Sequence, residues 1–194
     1  MSARALLLLA LGFAPAALAD PGVTEVLKRD FHARGQATMD RVVQDGVQRV
    51  CTESRDKPPP EVAGALQADQ MKTIVYPQGS LLGDWKRGER IAQSGQGMTW
   101  SDKPGPAGGS CYNCHQLSPN EASFGTLGPS LLGFGKTRGA GIEMQRYVYG
   151  KIYNAKAFNL CSQMPRLGYS GSLSAEQIKD LVALLLDPAS PVNR

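Results

Sequence analysis

Residues 111–115 read Cys111-Tyr112-Asn113-Cys114-His115. Two cysteines separated by two residues and followed at once by histidine form the attachment pattern of a c-type haem. Two thiols add across the two vinyl groups of one porphyrin, and the adjoining histidine is then held beneath the iron. One covalent haem c is therefore expected, bound through Cys111 and Cys114 with His115 as proximal ligand. A redox dithiol of the thioredoxin kind shares C-x-x-C but sits in a strand-rich βαβ setting, which this sequence lacks. A zinc site would need a second ligand pair, and His32 is the only other histidine in the chain.

The second axial position is open to methionine, histidine or no protein ligand. Thioether ligation raises the reduction potential and keeps small ligands off the iron. Met164 is the expected ligand. It lies well after the motif, within Cys161-Ser162-Gln163-Met164-Pro165-Arg166-Leu167-Gly168, and a final helix begins just beyond it. The neighbouring proline stiffens the loop. Met144, on an expected helix, reads as core filler. Met39 and Met71 lie outside the haem region, Met98 precedes the motif, and His32 is the rival ligand. Gly128-Pro129-Ser130-Leu131 is expected to line the proximal side, with the Pro129 carbonyl accepting the imidazole N–H and so fixing the ring. A plain turn would use the same residues.

The surrounding pattern is helical. Residues 83–92 read as a helix with Trp85, Ile91 and Ala92 inward, and residues 142–154 as another with Ile142, Tyr149, Ile152 and Tyr153 on one face. Ser174 followed by Gln177 has the spacing of a capping box. Behind it, Ile178, Leu181, Val182 and Leu185 recur at helical intervals until Asp187-Pro188. Before residue 80, Val23, Val26 and Leu27, then Val42, Val43, Val47 and Val50, suggest an amphipathic helix interrupted at Gly35. Asp56-Lys57-Pro58-Pro59-Pro60 reads as an extended spacer, and residues 61–76 give no clear pattern. The fold class expected is all-α: a class I cytochrome c fold with an N-terminal helical and extended appendage.

The amino terminus reads as an export signal. Arg4 precedes an apolar run over residues 5–14, and Ala17-Leu18-Ala19 supplies a cleavage site. The run is too short for a membrane span, which needs about 20 apolar residues. The expected division is residues 1–19 as signal peptide, 20–80 as an N-terminal extension for partner docking, and 81–194 as the cytochrome domain, delivered to the periplasm. Removing residues 1–19 takes away Arg4 and no acid, which lowers the net charge from +4 to +3. With no block of like charges, neither a nucleic-acid partner nor a membrane span is expected.

Cys51 and Cys161 remain. One reading is a structural disulfide tying the extension beside the Met164 loop and restraining it; the other makes Cys161 a reactive thiol or distal ligand, which needs a depressed pKa.

Three stretches carry a closer resemblance: Tyr149-Gly150-Lys151-Ile152-Tyr153-Asn154-Ala155, Met164-Pro165-Arg166-Leu167-Gly168, and Asp187-Pro188-Ala189-Ser190-Pro191-Val192-Asn193. With Gly128-Pro129-Ser130-Leu131, they resemble the small cytochrome subunit SoxX of the SoxAX complex, from the periplasmic thiosulfate-oxidising system. The resemblance covers residues 83–193. It implies an electron-accepting module docked on a SoxA-like partner of one or two haems. There, thiosulfate is joined oxidatively to a cysteine of a SoxYZ-like carrier protein, an L-cysteine S-thiosulfotransferase reaction, and the electrons pass to a downstream cytochrome c. Cys111, Cys114, His115 and Met164 correspond by motif to the family's haem-binding residues, and the catalytic cysteine is expected on the partner. A free-standing electron shuttle and a gas-binding haem sensor are the competing functions; the latter requires an open iron site.

Overall fold

The computed structural model describes residues 21–103 and 105–194; the expected leader lies outside the described residues. These contain α1 (Pro21–Asp30), α2 (Gly46–Glu53), α3 (Pro60–Lys72), α4 (Trp85–Gln93), α5 (Phe134–Arg138), α6 (Ile142–Tyr153) and α7 (Ala175–Leu186). Among the described residues there is no strand, only an isolated antiparallel bridge between Arg34 and Ala37. The all-α fold class is thus the one observed.

Helix α7 organises the core. Its capping box is formed: the Gln177 N–H donates to Ser174 Oγ at 3.3 Å, and the Ser174 N–H donates to Gln177 Oε1 at 3.0 Å. Ile178, Leu181, Val182 and Leu185 are buried, as their spacing requires, but so are Ala183, Leu184 and Leu186. The helix is covered on nearly all sides from its second turn onward. Burying each large apolar side chain contributes about 1.5–3 kcal/mol. The helix ends where Pro188 forces Asp187 out of the α region, to ψ 126°.

Helix α4 packs closely across α7. A methyl group at Gly88 would overlap the backbone carbonyl of Asp180, so glycine there sets how near the two axes come. Asp180 is buried, and its carboxylate accepts from Arg87 Nε at 2.8 Å, Arg87 Nη2 at 2.9 Å and the Asp84 N–H at 2.8 Å. The desolvation cost of that carboxylate is offset by three donors, two of them charged. The chain end closes the far side. Asn193 donates from Nδ2 to the carbonyls of Leu185 and Asp187, both at 3.0 Å, and accepts on Oδ1 from the N–H groups of Gly135 and Lys136. One amide side chain thus serves the open C-terminus of α7 and the open N-terminus of α5.

Several expectations change. Helix α4 begins at Trp85, capped by Asp84, whose side chain accepts from the Lys86 N–H. Within α4, Ala92 is buried and Trp85 and Ile91 are half-buried. In α6, Tyr149 and Ile152 are buried and Tyr153 is half-buried, but Ile142 is 55% exposed. Ile142 shares their face by spacing, yet the core ends before the first turn of α6 reaches it. Met144 is half-buried and packs on the core.

Val42 and Val43 do not share a helix with Val47 and Val50. Met39–Val42 is a short 3-10 turn, and Asp45 starts α2 afresh with its own capping box to Gln48. Gly35 does break the chain, in a turn at φ 55°. The proline tract is extended only as far as Pro59, because Pro60 opens α3. Proline suits the first helical position, where no N–H is needed.

The Gly88→Ala variant should lose about 1–3 kcal/mol of stability, because the added methyl overpacks a backbone contact that cannot yield. Urea unfolding followed by far-UV circular dichroism measures this.

Candidate cofactor site

Cys111–Asn113 forms a 3-10 turn opened by Ser110, which holds φ 49° in the left-handed region. Asn113 anchors that turn, donating from Nδ2 to Ser110 Oγ at 2.6 Å. A second strip of chain is laced alongside. The N–H groups of Gly125, Gly128 and Leu131 donate to the carbonyls of Tyr112, Cys114 and Gln116 at 2.9, 2.8 and 2.8 Å. Every other residue of the motif is therefore tied to one short loop. Glu121 braces the turn between them, with Oε1 accepting from the N–H groups of Leu117 and Ser118.

This lacing brings His115 against Gly128 and Pro129. A Cβ on Gly128 would overlap the imidazole ring, so the bare backbone is the wall on which the ring lies. The Pro129 carbonyl is 2.8 Å from His115 Nδ1. A carbonyl can only accept, so Nδ1 is the donor, and Nε2 is the ring nitrogen of the neutral imidazole that can accept a metal. The ring is thereby oriented and basic at one atom, as a metal-binding imidazole must be.

Cys111 and Cys114 are both free and half-buried. Burial, with a smaller contribution from Cys114, pushes the Cys111 thiol up to about 11. Two free cysteines and, next to them in sequence, an imidazole oriented through Nδ1 are a donor set that fits covalent attachment of a haem.

Met164 is half-buried and packs on the same core cluster as Cys111, Leu131 and Tyr149. Its N–H donates to Ser162 Oγ at 3.2 Å. His32 lies exposed in the loop after α1. The Tyr149 hydroxyl and Glu121 Oε2 are buried without a hydrogen-bond partner among the described residues. Burial pushes the Tyr149 phenol up to about 12.

Cys51 and Cys161 are joined in a disulfide, which sets aside the reading of Cys161 as a free thiol. Around it, the extension lies on the chain between α6 and α7. Arg166 pairs with Asp45 and donates from Nη1 to Gln70 Oε1 at 3.4 Å. Burial raises the Asp45 carboxyl, but the Gln48 N–H and Arg166 outweigh it and hold the group below the ordinary carboxylate range. Asn154 donates from Nδ2 to Gln70 Oε1 at 3.1 Å and Thr73 Oγ1 at 2.9 Å, and Gln67 donates to the Ala157 carbonyl at 3.2 Å. Further forward, Arg34 stacks on Trp100 at 3.4 Å, and Gln36 and Arg41 donate to the carbonyls of Thr99 and Met98.

Asn154 and Arg166 stand in the stretches that carry the resemblance, but nothing in the sequence signalled that they meet Asp45 and Gln70. The one local sign among them was Asp45 three residues before Gln48, the capping-box spacing at the head of α2.

Two changes probe this geometry. Gly128→Ala should cost about 1–3 kcal/mol by driving a methyl into the His115 ring, read as a lowered midpoint in urea. Reduction of Cys51–Cys161, which closes a loop across 110 residues, should cost about 4–5 kcal/mol in the chain-entropy model. Paired unfolding curves with and without a thiol reductant measure it.

No protein-family model matches the chain. Among solved structures, the crystal structure of SoxXA from P. pantotrophus is matched over 60% of this chain and 95% of that chain, at 26% identity and a TM-score of 0.42. A protein of Aquifex aeolicus (strain VF5) named an uncharacterized lipoprotein is 39% identical over 155 residues, or 78% of this chain and 73% of that protein. An identity of 39% maintained over most of both proteins means that this chain belongs to the same family as that uncharacterized lipoprotein.

Proposed function

We propose that this protein is a mono-haem c-type cytochrome that carries electrons in the periplasm as a SoxX-like subunit. The observation that carries the reading is the state of His115: Nδ1 bonded to the Pro129 carbonyl, the ring against Gly128, and Nε2 free beside two unpaired thiols. Haem c, when bound, supplies a one-electron iron couple. Cys111 and Cys114 would anchor it covalently, and His115 Nε2 and Met164 would hold its iron. The Pro129 carbonyl keeps the proton on Nδ1 and so keeps Nε2 basic. The lacing of residues 125–131 onto 112–116 holds that arrangement rigid, which suits electron transfer, where little should move between oxidation states.

The SoxX assignment rests on the sequence resemblance. Its three stretches fill core positions: Tyr149, Ile152, Asn154 and Ala155 in and after α6, Leu167 beyond Met164, and Val192 and Asn193 at the chain end. They therefore support a shared framework. The partners follow from the resemblance alone: a SoxA-like haem subunit, a SoxYZ-like carrier protein reached through the complex, and a downstream cytochrome c. No helix among the described residues is long and apolar enough to cross a membrane.

A second reading, a free-standing shuttle, is favoured by one observation. Much of the extension is bound to its own chain through Cys51, Asp45, Gln67 and Gln70. Its exposed apolar side chains include Val23 and Val26 on α1, Phe31 just after it, and Val43 and Val75 further on.

Native mass spectrometry of the tagged protein from the periplasm of its source tests both. One covalent haem per chain, loss of residues 1–19 and a second haem-bearing subunit are expected. A haem-bearing chain that is always solitary selects the shuttle, and a mass without haem overturns the cytochrome reading.

A further inference from the structure

Met164 lies in a segment fastened on both sides to a single short helix. Three residues before it, Cys161 is bonded to Cys51, near the C-terminal end of α2. Two residues after it, Arg166 pairs with Asp45, the N-cap of α2. Helix α2 therefore spans the Met164 segment as a crosspiece, tied covalently near one end and by a charged hydrogen bond at the other.

The remaining contacts remove the slack. Lys156 is 7% exposed, and its Nζ donates to the carbonyls of Leu160 and Ser162, both at 3.2 Å, so it grips the backbone on either side of Cys161. The Arg166 guanidinium also reaches Gln70 and lies 4.6 Å from the Tyr169 ring centroid. Val47 and Cys51 of α2 pack with Leu160 in a small apolar cluster of their own, with Ala63 and Leu66 of α3 against it. A buried lysine and a mostly buried arginine are costly to desolvate. Lys156 binds the backbone just ahead of the methionine, and Arg166 reaches from just behind it to Asp45 and Gln70.

We propose that α2 is the positioning element for the Met164 thioether, with the Cys51–Cys161 disulfide and the Asp45–Arg166 pair as two coupled fastenings and Lys156 as a positioning residue between them. The inference rests on the reading of Met164 as an axial ligand. A thioether binds iron weakly enough that holding it in place decides whether it stays. The second fastening retains the sulfur when the first is broken, so losing both should cost more than the separate losses predict.

The test uses the full, exported, haem-loaded protein in three variants: Asp45→Asn, Cys51→Ala with Cys161→Ala, and all three changes together. Asparagine caps helices as well as aspartate, so Asp45→Asn removes the ion pair and keeps α2. The readouts are the affinity of the ferric protein for added imidazole, which competes with the thioether, and amide hydrogen exchange over residues 161–166. Each fastening lost alone should raise imidazole affinity by up to about tenfold. The combined variant should exceed the product of the two, with faster exchange confined to residues 161–166. Met164→Ala serves as the reference for a lost ligand. If it binds imidazole no better than wild type, the ligand assignment falls and the proposal with it. If Met164→Ala responds but the combined variant does not, the proposal alone is overturned.

Discussion

The close approach of α4 to α7 is the constraint on which the rest of the fold depends. Gly88 presents no side chain to the Asp180 backbone, and Asp180 answers with a buried carboxylate that takes two guanidinium nitrogens and a main-chain N–H. A larger residue at position 88 would push α4 off α7. It would also separate Arg87 from a carboxylate that has little access to water. With that crossing set, α7 is surrounded, and its end groups must find partners within the protein. Asn193 supplies them, which explains why the chain end is folded in.

The cofactor site is built outward from the same frame. Gln177, at the head of α7, donates to the Ala107 carbonyl at 2.7 Å and so fixes the approach to residues 111–115. From there the motif is laced to the loop ending at Leu131, and Phe134 returns to the core on the next helix. His115 thus owes its orientation to main-chain geometry. A carbonyl and a bare glycine backbone cannot change rotamer, so they hold the imidazole ring in one orientation. The methionine side is held differently, by a disulfide, an ion pair and a buried lysine contributed across a long stretch of sequence. The loop against His115 is stiff by backbone, the Met164 segment by cross-links between side chains.

How much of this was legible varies by element. Helix α7 was readable because Ile178, Leu181, Val182 and Leu185 form an apolar stripe and its cap uses local spacing, so neighbours in sequence carry the signal. Helix α3 was invisible for the opposite reason. Its docking stripe runs Ala63, Leu66, Gln67 and Gln70, and the two glutamines face inward to reach Ala157 and Asn154. A half-polar stripe has no apolar period. Ile142 shows the reverse error, a correct face on a helix that extends past the edge of the core.

From the sequence alone came the helical class, the cap and length of the final helix, and the motif that names the candidate ligands, since each depends on residues a few positions apart. The tertiary structure decided what depends on distance along the chain. It brought Cys51 to Cys161, Asp45 to Arg166 and Gln70 to Asn154, and folded most of an apparent appendage onto the Met164 segment. Such pairings leave no local trace, because an ion pair or a disulfide constrains two residues in space and places no demand on the neighbours of either.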